Sequence, residues 1–383
     1  MIEYITAGES HGPMLVGIIK NIPAGLTVDK AFIDGELSRR MLGFGRGGRM
    51  KIERDTAEFV TGVRGGKTLG SPLTAIINNR DHENWKDIMG FAATKEGMAT
   101  KRVTAVRPGH ADLSGAVKYG FDDARNVLER ASARETAMRV CLGAVCKLYL
   151  KELGIEIYSH TVSLGGIDAA KNSDYVNINA RADLDPVRCL DGKASAKMQD
   201  VIRAAAENGD TVGGVTEIVI IGCKSGIGSY VSSDRKLDGL IMREIGATQS
   251  VKAVEIGDGI RNASVLGSSV HDELFTDNGK LYRKSNRAGG LEGGMSNGEP
   301  IIIRAYCKPI PTLKQGLNTV DIESGKAVKA TPERSDVCAV PAAGVVCEAA
   351  AALALTAALS DMLGGDTMDE VKARYELKRS FNG

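Results

Sequence analysis

From Ala342 to Leu363 the chain is dominated by alanine, with leucine and valine between and Glu348 set among them. Pro341 precedes the run, a residue suited to a first helical turn because its missing N–H would have no partner there. A helix of this composition is apolar all round, so it has to be enclosed. Alanine is too weakly apolar to favour a bilayer, and the run predicts a closely packed core helix rather than a membrane span. A second long helical segment lies within Val106 to Leu150. Ala133, Ala137, Val140, Ala144 and Leu148 recur at the three- and four-residue steps that share one helical face. Either Asp122 or Asp123 can cap its start by accepting from a first-turn N–H. Arg130, Arg134 and Arg139 are interleaved with the apolar stripe, either as an anion-binding row or as a solvated face.

Short alternating segments surround these helices. Ile2 to Ala7, Met14 to Ile19, Met50 to Glu53, Glu58 to Arg64 and Leu73 to Asn78 read as strands before the central helix. Ile155 to Ile167, Thr211 to Cys223, Ala253 to Gly257 and Pro300 to Lys308 read as strands after it. Asp29 to Leu42, Ala194 to Asn208 and Leu237 to Gly246 have helical spacing. His82 to Thr100 reads as a mobile loop, Asn172 to Cys189 as irregular and Lys314 to Lys329 as a polar connector. Strands gathered between long helices, without regular alternation, predict an α+β fold. No linker divides the chain, so one domain over residues 1–383 is expected, with two pseudo-equivalent halves as an open alternative.

The balance of charge narrows the function. With 383 residues and a formal net charge of +1, no basic excess exists to neutralise a nucleic-acid backbone. Small anions stay open, because basic residues cluster locally. The seven cysteines are odd in number and contain no CxxC pair, so reduced, buried thiols in a cytoplasmic protein are expected, with no disulfide framework or metal site. The N-terminus has neither the basic start nor the apolar run of a signal peptide.

Two nucleotide signatures fit in letters only. Gly43-x-Gly45-x-x-Gly48 follows a helix and precedes a strand, the reverse of the dinucleotide-binding context. Gly62-Val63-Arg64-Gly65-Gly66-Lys67-Thr68 resembles a phosphate loop but leads into Leu69-Gly70-Ser71-Pro72, so a hairpin turn is the better reading. The stronger constellation is basic: Arg39, Arg40, Arg46, Arg49 and Arg54 on and around a glycine loop, with forked donors that match carboxylates and phosphates. His11 and His110 lie in glycine-containing turns, where histidine can exchange a proton near neutral pH. His82, His160 and His271 lack such company, and surface roles suffice for them. Asp336 either caps the alanine-rich helix or joins Arg334 at a ligand. These residues point to an enzyme or binding protein for a small, multiply anionic ligand.

Taken together, GESHG (8–12), RRMLGFGRGGRMKIERD (39–55), RPGHAD (107–112), RASARETAMRV (130–140), VEIGDG (254–259), GGLEGGMSNGEP (289–300), KPIPT (308–312) and RSD (334–336) resemble the chorismate synthase family, in family order over nearly the whole chain. The resemblance implies a β-α-β sandwich with long helices packed between antiparallel sheet layers, assembled as a homotetramer. It implies a lyase of the shikimate pathway that takes phosphate and a ring proton from 5-enolpyruvylshikimate 3-phosphate by 1,4-elimination, giving chorismate. Reduced FMN is the implied cofactor, with NADPH acting only indirectly and an external flavin reductase as partner. The catalytic positions fall on His11, His110 and Asp336, and the substrate-clamping arginines on Arg39, Arg46, Arg49, Arg107 and Arg134. Flavin contacts fall on Arg130, Ala131, Ser132, Gln249, Ser250, Gly293, Lys308, Pro309, Ile310, Pro311, Thr312 and Arg334, and positions linked to NADP on Arg40 and Arg46. Ser10 and Ser132 are possible proton relays. Ala131 stands where the family often has serine, which bears on one flavin hydroxyl contact, and Ser250, next to Gln249, stands where the family often has alanine.

Overall fold

The computed structural model describes residues 1–47, 55–330 and 336–378. The expected strand from Met50 to Glu53 lies outside these residues, as do Arg49, Arg54 and Arg334. Two antiparallel sheets form the outer layers. The first contains β1 (Glu3–Ala7), β2 (Met14–Lys20), β3 (Glu58–Thr61) and β4 (Leu73–Asn78), in the order β1-β2-β4-β3. Leu15 and Ile19 on β2 and Leu73, Ala75 and Ile77 on β4 are buried at every second position, the period that turns one strand face inward. The second sheet contains β5 (Glu156–Leu164), β6 (Ile167–Asp168), β7 (Gly214–Ile221), β8 (Val251–Ile256) and β9 (Ile301–Cys307), in the order β8-β9-β7-β5-β6.

The helices fill the space between. In chain order the ones that matter here are α1 (Lys30–Met41), α2 (Asp112–Tyr119), α3 (Arg125–Ala131), α4 (Thr136–Lys151), α5 (Leu237–Gly246) and α6 (Val340–Leu363). Helix α4 lies on the first sheet, α6 on the second, and the two helices pack on each other. The layers are therefore sheet, helix, helix, sheet, as the α+β sandwich expectation requires. Helix α6 is the one described helix long and apolar enough to cross a membrane, and 94% of its most apolar window is buried inside the fold. The helices approach closely at Gly143, where an added Cβ would lie 2.4 Å from the Cβ of Ala349. Small side chains on both helices make this approach possible.

A polar cluster interrupts this apolar interior. Glu348, fully buried on α6, accepts from Arg39 (2.9 Å) on α1, Ser159 (2.5 Å) on β5, Asn179 (3.1 Å) and Arg188 (3.3 Å), and it pairs with Lys147 on α4. Glu36 accepts from both Arg39 (2.7 Å) and Lys147 (2.5 Å), and Asp183 accepts from Arg39 (2.6 Å). Burial alone would keep Glu348 protonated, but Arg39, Lys147 and Arg188 outweigh it and hold the carboxyl well below the usual carboxylate range.

Several local expectations change. The central helix is broken at Ser132, whose backbone is extended and whose Oγ accepts from the Arg134 N–H, so α3 ends and a new turn starts before α4. Asp123, not Asp122, accepts from the Arg125 N–H (2.8 Å) where α3 begins. Residues 82–100 carry short helices at Lys86–Met89 and Lys95–Thr100, 178–182 is helical, and Asn318–Val320 pairs with Ala327–Lys329 as a hairpin. His160 is buried rather than superficial, with Nε2 3.2 Å from Glu217. Residues Val63–Arg64 and Lys67–Thr68 form the expected hairpin.

Because the folded-state pKa of Glu348 lies below its unfolded value, its stabilisation is complete above the ordinary glutamate pKa of about 4.3 and is lost as pH falls below it. Glu348→Gln should cost about 3–5 kcal/mol at neutral pH by leaving buried cations without their counter-ion. It should also flatten the acid limb of stability. Urea unfolding across pH 2 to 7 checks both, and identical acid limbs in parent and variant would contradict the assignment.

Candidate active site

The turn after β1 holds His11 against α3. The His11 backbone N–H donates to Glu129 Oε2 (2.8 Å), and its Nδ1 lies 2.9 and 3.0 Å from the two carboxylate oxygens. Arg125, one helical turn before Glu129, also reaches this carboxylate (3.3 Å). The Glu129 side chain is fully enclosed. Burial would raise its pKa, but the bonds and charge of His11 with Arg125 more than offset this and lower it. The other side of the ring stacks on Trp85, with centroids 3.9 Å apart and planes 20° apart. Ser10, buried beside His11, lies 3.3 Å from the Ser132 hydroxyl.

His110 is held in a parallel way at the start of α2. Its Nδ1 is 2.5 Å from Asp112 Oδ1, and Asp112 also accepts from Arg107 Nε (2.8 Å) and the Arg107 backbone N–H (3.1 Å). Burial opposes ionisation of Asp112, yet bonds from His110 and Arg107 hold it well below the usual range. Arg107 extends the group by donating to Thr312 Oγ1 (3.0 Å), and Lys308 donates to the Gly109 carbonyl. The KPIPT segment at the end of β9 is thus joined to the RPGHAD turn. The Lys308 N–H donates to the Ser250 carbonyl (2.9 Å), which brings in that residue.

The arginines divide into separate groups. Arg134 donates from NH1 to both Asp55 oxygens (2.7 Å each) and from Nε to Asn79 Oδ1 (2.9 Å). Asn79 in turn donates to the Glu9 and Gly12 carbonyls, tying Arg134 to the His11 turn. Arg40 donates to Thr136 Oγ1 (2.9 Å) and the Ala133 carbonyl (2.8 Å), with Asp55 at 3.7 Å. Burial, together with Arg46 and Arg134 and against the pull of Asp55, pushes Arg40 down to about 9. Arg46 pairs with Asp336 (2.7 Å), whose other oxygen accepts from the Gly47 N–H (2.6 Å). Asp336 therefore closes on the glycine loop and does not cap α6.

Arg39 is not brought into this network. Each of its guanidinium nitrogens donates to a carboxylate of the Glu348 cluster, so neighbours in sequence serve different groups. Arg130 donates to the Thr6 and Gly8 carbonyls and, with Gln249, lines a cavity of about 490 Å³ that also includes Arg139, Arg243, Glu135 and Glu244. Ala131 ends α3, and Gly293 sits in a hairpin turn between Leu291–Glu292 and Met295–Ser296, with no hydrogen bond to the groups above. The sequence reading gave no role to Glu129, Asp112, Asp55, Asn79 or Trp85. Asp112 and Asp55 lay inside the family stretches and could have been singled out. Glu129 lies 118 residues from His11, and nothing in the linear chain marks that pairing.

A family profile described as chorismate synthase matches residues 2–360. The chain is 50% identical over 377 residues to the chorismate synthase of Carboxydothermus hydrogenoformans, covering 98% of each. It is 51% identical over 378 residues to that of Syntrophotalea carbinolica, covering 98% of this chain and 97% of the relative. A crystal structure of chorismate synthase superposes with a TM-score of 0.78 at 38% identity, covering 98% of this chain and 96% of the other.

Trp85 is the sole tryptophan, so its emission reports on the His11 stack without interference from another indole. His11→Ala uncovers one face of the indole, so it should change the intensity and wavelength of that emission. An unchanged emission spectrum would contradict the stack.

Proposed function

The chain belongs to the chorismate synthase family, and from that premise we propose that it converts 5-enolpyruvylshikimate 3-phosphate to chorismate and phosphate by 1,4-elimination, with reduced FMN bound. The observation that supports this most is the single connected network that holds His11, Arg134 and Arg40, with Arg46 and Asp336 as electrostatic neighbours of Arg40. The substrate carries a phosphate and two carboxylates. Arg40 and Arg134 are buried around Asp55, and Arg46 joins them through Asp336, so an anionic substrate would meet guanidinium groups already held in place.

The side chains then divide the work. His11 meets the phosphate end and supplies a proton or hydrogen bond to the departing group. Asp336 guides the ring proton away, His110 hydrogen-bonds the cofactor, and Arg107 fixes His110 and adds positive charge. Arg40 takes the clamping role that the resemblance put on Arg39, because all three guanidinium nitrogens of Arg39 already donate to the Glu348 cluster. Arg49 and Arg334 keep the roles the resemblance implies.

The cavity beside Arg130 and Gln249 suits the cofactor in size, and its further arginines suit an anionic group. Arg130, Ser132, Gln249, Ser250 and Lys308 to Thr312 would hold FMN. When bound, reduced FMN supplies an electron transiently and takes it back, with no net redox change. A homotetramer and an external flavin reductase complete the reading, with NADPH acting only through flavin reduction.

Phosphate release from the enolpyruvyl substrate under anaerobic conditions, with dithionite-reduced FMN, tests the reaction, and its absence would overturn it. Robust turnover in air with FMN and NADPH alone would remove the external reductase. Arg40→Met should lower kcat/KM by roughly 10- to 100-fold, the loss of one or two charge-assisted bonds at about 1.5–3 kcal/mol each. Arg39→Met should instead lower the urea midpoint and leave kcat/KM within about threefold, the scale of a change outside the binding contacts. The reverse pattern would return the clamp to Arg39.

A further inference from the structure

We propose that Glu129 and Asp112 are positioning residues that set the tautomers of His11 and His110, placing the proton on Nδ1 of each ring and leaving Nε2 to face the ligands. The inference rests on the reaction proposed above only for what Nε2 does, not for where the proton sits. Its basis is one arrangement built twice from unrelated segments. In each case a histidine in a glycine turn puts Nδ1 on a carboxylate with no solvent exposure, and an arginine binds the same carboxylate.

The assignment follows from counting donors. Glu129 receives the His11 backbone N–H and Arg125 as well as Nδ1. Asp112 receives two N–H groups of Arg107 and its backbone N–H as well as Nδ1. An enclosed carboxylate with that many donors is an acceptor only, and the lowered pKa of each is consistent with its carrying no proton. A ring nitrogen at 2.5 to 3.0 Å from such an oxygen must bring the proton itself. The approach of Arg107 NH2 to His110 Nδ1, at 3.2 Å, is then a contact between two donors that share Oδ1 of Asp112. A neutral imidazole in water favours the proton on Nε2, so each carboxylate reverses the default. Nε2 of neither ring has a partner among the described residues, and that nitrogen is a base when neutral and an acid when protonated. Trp85 adds to the constraint on His11 by closing off one face of the ring.

Nitrogen-15 imidazole spectra of the full chain without ligands test this, at a pH where the rings are neutral. The five histidines can be assigned by single His→Gln replacements. The wild type should show protonated Nδ1 and bare Nε2 for His11 and His110. Glu129→Met removes both oxygens that Nδ1 reaches, so it should let the proton of His11 return to Nε2. Asp112→Asn should do the same for His110. In turnover, each variant should lose kcat by about 10²-fold or more with KM within about threefold, the pattern of a lost proton-transfer geometry. A wild-type proton on Nε2 overturns the proposal, as does a variant whose tautomer flips while kcat stays at the wild-type value. If a variant does not fold, the wild-type spectrum decides. If the wild type shows Nδ1–H and releases no phosphate from the enolpyruvyl substrate, the positioning stands and the reaction assignment falls.

Discussion

One carboxylate in the middle of an apolar helix holds the interior in register. Glu348 sits on α6, which is otherwise lined with alanine, valine and leucine and could slide against its neighbours at little cost. Ionised and out of water, it has to keep its cations, and those come from α1, α4 and the segment that crosses β5. The cluster balances Arg39, Lys147 and Arg188 against Glu36, Asp183 and Glu348. Such an arrangement contributes little net stability compared with a well-packed apolar core. Its effect is geometric, because any shift of one helix strands a buried charge.

The site inherits that geometry. Successive residues of an α-helix point about 100° apart. With Arg39 committed to Glu348, Arg40 is turned toward Thr136, Ala133 and Asp55. The Glu348 cluster and the network around Asp55 therefore meet adjacent faces of one helix. The first is close to charge balance, as a permanent buried cluster must be. The second gathers Arg40, Arg46 and Arg134 with Asp55 and Asp336.

The two histidines add a different form of control. Both carboxylate partners are closed off from solvent. Each acts through the ring it holds, and each is held by an arginine in turn. Asp112 can do this because it lies two residues from His110 at the start of α2, whereas Glu129 can do it only because β1 and α3 are folded together.

Much of this was legible in the linear chain. The alanine run, the period-two strands and the absence of alternation determined a layered α+β core, because burial patterns are local and additive. The family stretches determined the enzyme family and singled out His11, His110 and Asp336 as candidates, because motifs record residue types in order. What tertiary structure decided were the pairings. Arg39 and Arg40 look alike in sequence, and only the position of Glu348, 309 residues from Arg39, separates their roles. His160 looked superficial, and only the opposition of β5 to β7 places it on Glu217. The break at Ser132 and the enclosure of His11 by Glu129 and Trp85 likewise depend on chain segments far apart in sequence. The physical reason is the same in each case: a charged or polar side chain takes its role from the partner that desolvation forces on it, and that partner is chosen by the fold.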